Sequence, residues 1–93
     1  MTNEIIKNQI LKIVNDYPIT SVVLFGSRAS GTNSDDSDVD LIIEFSEPIT
    51  LFTLAKIKLQ LEEMLGLEVD VIHGPIRETD MIEVDKVVEL YAA

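Results

Sequence analysis

The sequence predicts a single α/β (α+β) domain over residues 1–93, with a mixed sheet of three to five strands and helices covering one face. Two observations lead to this fold class. Three short segments are continuously apolar or alternate in polarity, as strands do, and two longer segments repeat apolar residues every three or four positions, as helices do. A chain of 93 residues can bury one modest core, and it has no room for a separate specificity domain.

The first two elements follow each other directly. Residues 3–16 place Ile6, Ile10 and Ile13 on one side and are followed by Pro18, which predicts an amphipathic helix. The segment Ile19–Phe25 is β-branched and almost wholly apolar, which is typical of a buried central strand. We expect that strand to end at Gly26.

Two further strands alternate and share an acidic face. In Val39–Phe45, Asp40 faces away from the core together with Ile42 and Glu44. In the segment 67–72, Asp70 faces the same way when the apolar residues point to the core. We therefore expect an open acidic face on the side of the sheet that the helices leave free.

The remaining elements are a helix and a weaker strand. Thr50 is a good cap for a helix over residues 51–65, and Gly66 suits the left-handed position that ends it. In the tail from Gly74, short helical and strand patterns both fit, and we favour an edge strand at 87–91.

Composition excludes several classes of function. Seventeen Asp and Glu against seven Lys and Arg give a net charge of −10, which argues against direct binding of nucleic acid and favours a basic protein partner. The absence of Cys excludes thiolate zinc sites and thiol catalysis, and a single His leaves a His-rich metal site without ligands. No segment is apolar enough to span a membrane, and the first residues lack a signal-peptide pattern, so we expect no membrane association and a cytoplasmic location.

The stretch from Gly26 to Asp40 carries the chemistry. Gly26 allows a tight turn after the first strand, and Ser27 can open a short helix whose N–H groups favour an anion such as phosphate. Asp38 and Asp40 project from one face, and Asp70 joins them if the third strand lies beside the second. Three clustered carboxylates repel one another unless cations are present, and a pair of Mg²⁺ ions suits such ligands. Phosphoryl or nucleotidyl transfer is the reaction indicated.

The run GSRASG…SDVDL, with the later Asp70, resembles the minimal nucleotidyltransferases of the DNA polymerase β-like superfamily. The resemblance covers essentially the whole chain. It implies that Asp38, Asp40 and Asp70 are catalytic and hold two Mg²⁺ ions, with Asp70 helping to deprotonate the attacking hydroxyl. It also implies that Gly26 and Ser27 bind the nucleotide phosphates and that Arg28 pairs with phosphate or with an acidic group of the partner.

Members of this group act as antitoxins of HEPN-domain toxins. The resemblance thus implies transfer of AMP from ATP, the expected nucleoside triphosphate, to a hydroxyl of a cognate HEPN ribonuclease. The expected acceptor is a tyrosine hydroxyl. The two proteins would form a hetero-oligomer. Two alternatives stay open at this point. One is a non-catalytic antitoxin that neutralises the toxin by binding it. The other is a nucleotidyltransferase of small molecules such as aminoglycosides, which the short chain disfavours.

Overall fold

A mixed β-sheet organises the chain, as the sequence predicted. The structure, a computed structural model, describes residues 2–34, 36–74 and 87–93. Within them four strands are present: β1 (Ile19–Phe25), β2 (Val39–Phe45), β3 (Val69–His73) and β4 (Val88–Ala92). Their order in the sheet is β3-β2-β1-β4, with β1 antiparallel to both neighbours and β2 parallel to β3. The predicted edge strand near the C-terminus is therefore confirmed, and residues 75–86 of the tail lie outside the described residues.

Three helices connect or precede these strands in the described residues: α1 (Asn3–Leu11), α2 (Ser27–Ser30) and α3 (Leu51–Leu65). The Thr2 and Thr50 side chains cap α1 and α3 by accepting main-chain N–H bonds, and Gly66 ends α3 at φ 68°. Both the cap and the end of α3 are as predicted. None of the helices in the described parts of the chain is both long and apolar enough to cross a bilayer.

One apolar core lies between the sheet and the helices α1 and α3. On β2 it contains Val39, Leu41 and Ile43, which are 0 to 1% exposed and alternate with the acidic positions. The helices contribute Ile6 and Ile10 from α1 and three residues of α3, Ile57, Leu61 and Leu65. Because the helices cover this face, Asp40 is directed to the other face of the sheet.

The first helix is shorter than the sequence predicted. It was expected over residues 3–16, but α1 ends at Leu11. The main chain then tightens into turns in which the Ile13 N–H donates to the Ile10 carbonyl and the Asp16 N–H to the Ile13 carbonyl. Ile13 and Val14 stay buried in these turns. The apolar residues keep their spacing of three to four beyond Leu11, because turns with hydrogen bonds between residues three apart keep the same side of the chain directed to the core.

The start of the third strand is also corrected, and one residue of the open face is more buried than expected. The third strand begins at Val69 and not at residue 67, although the Glu68 carbonyl already accepts the Val39 N–H at 2.9 Å. Ile42 lies on the same face as Asp40 and Glu44, as expected, but it is only 8% exposed. Gly74 packs against it, because its N–H donates to the Ile43 carbonyl and a Cβ on it would lie 3.0 Å from Ile42 Cγ2.

Candidate functional site

Asp40 and Asp70 lie at the end of the sheet where β1 ends and where β2 and β3 begin. In the antiparallel pair, Phe25 of β1 lies opposite Asp40 of β2. In the parallel pair, Asp40 lies opposite Asp70 of β3. Neighbouring strands are about 4.8 Å apart, so both carboxylates and the turn after Phe25 share one end of the sheet. Asp40 is half-buried, whereas Asp38 and Asp70 are exposed.

Gly26 brings the main chain directly against Asp40. Its φ of 75° and ψ of −154° place it in a region that residues with a Cβ rarely occupy. A Cβ at this position would collide with Oδ2 of Asp40. Its carbonyl accepts the N–H groups of Ala29 and Ser30, which begins α2 immediately after the turn. The turn, the half-buried Ser27 and Asp40 therefore form one local unit.

The electrostatic state of Asp40 reflects its neighbours. Burial raises the pKa of Asp40 above its ordinary value, and a hydrogen bond with the Asp70 side chain raises it further. The negative charges of Asp70 and Asp38 add to the same pKa shift. The cost of ionising Asp40 here is one that a cation would reduce.

The donor set fits a hard divalent cation in its chemistry. Asp38, Asp40 and Asp70 offer carboxylate oxygens, the ligands that Mg²⁺ prefers. In the parts of the chain that the structure describes, however, no three His, Cys, Asp or Glu side chains are already gathered as a metal-binding group. Asp40 and Asp70 are neighbours across the two strands, and the charge of Asp38 acts on Asp40.

Arg28 is placed differently from what a phosphate-binding residue would suggest. It is 2% exposed, and its Nε and Nη2 both donate to the main-chain carbonyl of Ser37, at 3.1 and 2.9 Å. Ser37 immediately precedes Asp38. These contacts tie α2 to the loop that leads into β2. The periodicity of the sequence holds no signal for this role, because it depends on the path of the loop after Gly31.

A second anchor, which the sequence did not predict, lies beside Asp70. Lys58 of α3 donates from Nζ to Glu62 Oε2 at 2.9 Å and to the Val69 carbonyl at 2.7 Å. Glu62 Oε2 also accepts the Val69 N–H at 3.1 Å. The hydrogen bond with Lys58, followed by that with Val69, lowers the pKa of Glu62. The spacing of Lys58 and Glu62 was a possible signal, but only the fold shows that the pair holds the start of β3.

Comparison with known proteins points to one family. The family described as "Nucleotidyltransferase domain" matches residues 7–90. A Methanocaldococcus jannaschii protein named as a protein adenylyltransferase is 39% identical over 67 residues, which are 72% of each chain.

Solved structures share the fold. A crystal structure described as a toxin-antitoxin with AMP-PNP superposes with a TM-score of 0.78 at 21% identity, over 94% of this chain and 73% of the other. A structure described as tri-AMPylated Shewanella oneidensis HEPN toxin in complex with MNT antitoxin gives 0.71 at 17% identity, over 97% and 72%. At these identities the similarity concerns the fold.

Proposed function

The chain belongs to the nucleotidyltransferase domain family, and we propose that it is an antitoxin that transfers AMP from ATP to a hydroxyl of a cognate HEPN-domain toxin. The observation that carries this proposal is the shared sheet end at which Gly26 touches Asp40 and Asp40 lies beside Asp70. Relatives and structural neighbours that are named for adenylyl transfer and for toxin-antitoxin complexes support the acceptor class. A tyrosine as the acceptor and a cytoplasmic location remain predictions.

Each residue of the site has a proposed part in binding. Gly26, which lacks a side chain, leaves the main chain of the turn open to the nucleotide phosphates, and Ser27 adds a hydroxyl that donates to them. Asp38, Asp40 and Asp70 would hold two Mg²⁺ ions. When bound, these ions supply positive charge that activates the attacking oxygen and stabilises the leaving pyrophosphate.

The transfer forms one bond, breaks one bond and moves one proton. The acceptor oxygen forms a bond to the α-phosphorus, the bond from that phosphorus to the bridging oxygen breaks, and pyrophosphate leaves. The hydroxyl proton passes to the Asp70 carboxylate, which is exposed and therefore accessible to an incoming side chain. Asp40 is half-buried and therefore less accessible to the acceptor than Asp70.

Arg28 is a positioning residue in this proposal. Its two donors on the Ser37 carbonyl hold the chain immediately before Asp38, so it sets where that carboxylate begins. The Lys58–Glu62 pair does the same for Asp70 through Val69. For both Asp38 and Asp70, the preceding residue is thus held by hydrogen bonds from a charged side chain.

The test is the intact mass of the toxin encoded beside this chain after incubation with the chain, Mg²⁺ and each nucleoside triphosphate in turn. We expect an increment of one or more AMP groups with ATP, and its loss when a chelator removes Mg²⁺. The variant Asp38→Asn with Asp40→Asn should abolish the increment. Asp36→Asn is the matched control, because Asp36 is exposed in the same loop and is not part of the site.

Three other outcomes would each contradict the proposal. A toxin that binds the chain but keeps its mass would indicate neutralisation by binding. An increment that survives in the double variant would place the chemistry elsewhere. Transfer to an aminoglycoside without transfer to the toxin would indicate a small-molecule acceptor.

A further inference from the structure

An apolar stripe runs along the outer face of α3, on the side away from the sheet. Phe52 is 81% exposed and Leu59 is 64% exposed, one heptad apart, and Ala55 between them is also exposed. With the polar residues Lys56, Gln60 and Glu63 they line one open groove. The opposite side of the helix already supplies the core, so packing within the described residues does not require this stripe. Large exposed apolar residues that share one helix face are typical of an interaction surface.

Two opposite charges flank the stripe at a spacing that makes it complementary to itself. Lys56 and Glu63 are both exposed, and neither takes part in the Lys58–Glu62 ion pair. They are seven residues apart, which is two helical turns or about 10.5 Å along the same face. Leu59 lies between them. In an antiparallel pair of such helices with the two-fold axis beside Leu59, each Lys56 faces Glu63 of the other helix.

We propose that this face of α3 binds a second copy of the chain, so that the protein forms a symmetric dimer. The two Leu59 side chains meet near the axis, Ala55 allows close approach of the helices, and the two Lys56–Glu63 pairs fix the antiparallel register. The proposal rests on this helix face and does not depend on the proposed function.

The net charge of −10 on each copy does not prevent this association. At physiological ionic strength charges are screened over about 8 Å, so groups near the contact dominate. The two charges that border the stripe, Lys56 and Glu63, cancel each other. The acidic site lies on the other face of the sheet, so a dimer built on α3 leaves both sites open to nucleotide and acceptor.

The test is sedimentation equilibrium of the full chain over a series of concentrations at physiological salt. We expect a reversible monomer–dimer equilibrium. Either charge reversal, Lys56→Glu or Glu63→Lys, should weaken it about tenfold, because two attractive pairs become repulsive. The combined variant Lys56→Glu with Glu63→Lys should restore it. Leu59→Gln should remove the dimer, and since Leu59 is mostly exposed this variant should keep the far-UV circular dichroism and melting temperature of the wild type.

Matched controls separate the contact from changes in net charge. Lys7→Glu and Glu4→Lys change the charge by the same amounts at exposed positions of α1 and should leave the dimer unchanged. A chain that is monomeric throughout the series overturns the proposal. So does a dimer that the two charge reversals weaken singly but that their combination does not restore. A monomeric chain whose Leu59→Gln variant no longer binds the toxin would assign the stripe to that partner.

Discussion

Substituting Gly26 by alanine is expected to damage both the stability and the chemistry of the site. The residue adopts φ 75° and ψ −154°, a region used almost only by glycine, and forcing alanine into it costs about 1–3 kcal/mol. In a domain of this size each 1 kcal/mol lowers the melting temperature by about 4–8 °C. The added methyl group would also meet Oδ2 of Asp40, so this carboxylate must turn away from its place beside Asp70.

Gly66→Ala separates these two effects. Gly66 also has a positive φ, 68°, but no atom lies within 4 Å of the position that its Cβ would take. Its replacement should therefore lower the free energy of unfolding by about 1 kcal/mol and leave the site intact. Gly31→Ala, at φ 83° with equally open space, repeats the control within the loop of the site.

The assay combines thermal denaturation with the rate of AMP transfer to the toxin, measured at a temperature where all variants are folded. Displacing a reacting group by about 1 Å can cost about 100-fold in rate, and we expect a loss of that order for Gly26→Ala alone. If Gly26→Ala transferred AMP as fast as Gly66→Ala, the close approach of the turn to Asp40 would have no role in catalysis.

Three further predictions concern the charged groups around the site. Arg28→Lys keeps the positive charge but loses the two hydrogen bonds to the Ser37 carbonyl, so it should lower the free energy of unfolding by about 1–2 kcal/mol. It should also lower kcat more than it raises the KM for ATP. A rise in KM alone would instead indicate that Arg28 binds phosphate. Asp40→Asn should stabilise the ligand-free chain at neutral pH, because the raised pKa of Asp40 means that its ionisation opposes folding. Urea titrations should show this gain in the free energy of unfolding vanish as the pH falls below 3.8. An unchanged free energy of unfolding at neutral pH would contradict this prediction. Glu62→Gln should destabilise the chain near neutral pH, because the lowered pKa of Glu62 means that its ionised carboxylate favours folding. This loss of folding stability should fade as the pH falls below 4.5. A loss that persists in acid would exclude the ion pair with Lys58 as its cause.

The parts of the fold that follow from short-range patterns were predictable. Alternation in β2 and β3 placed Asp40 and Asp70 on one face, and the structure confirms that they are direct neighbours. Thr50 and Gly66 marked both ends of α3, because capping depends on residues at fixed positions next to the helix.

The parts that depend on contacts distant in sequence were not predictable. The burial of Arg28 depends on where the loop after α2 brings the Ser37 carbonyl, and no periodic pattern encodes that path. The low exposure of Ile42 accompanies the close approach of Gly74, which reaches it only after the chain has passed through α3 and β3. The early end of α1 escaped prediction because the turns after Leu11 bury the same residues that a longer helix would.

The residues gathered at one end of the sheet do not stabilise the fold by themselves. Gly26 holds a main-chain conformation that few residues tolerate, Asp40 is ionised at a cost, and Asp38 and Asp70 increase that cost. Charged anchors on Ser37 and Val69 hold the residues just before Asp38 and Asp70 in place. Like charge that is concentrated and held in place in this way is typical of a functional site. Under the proposed function, a nucleotide accompanied by divalent cations would suit this end of the sheet, because the cations would neutralise the carboxylates and the bare turn would admit the phosphates.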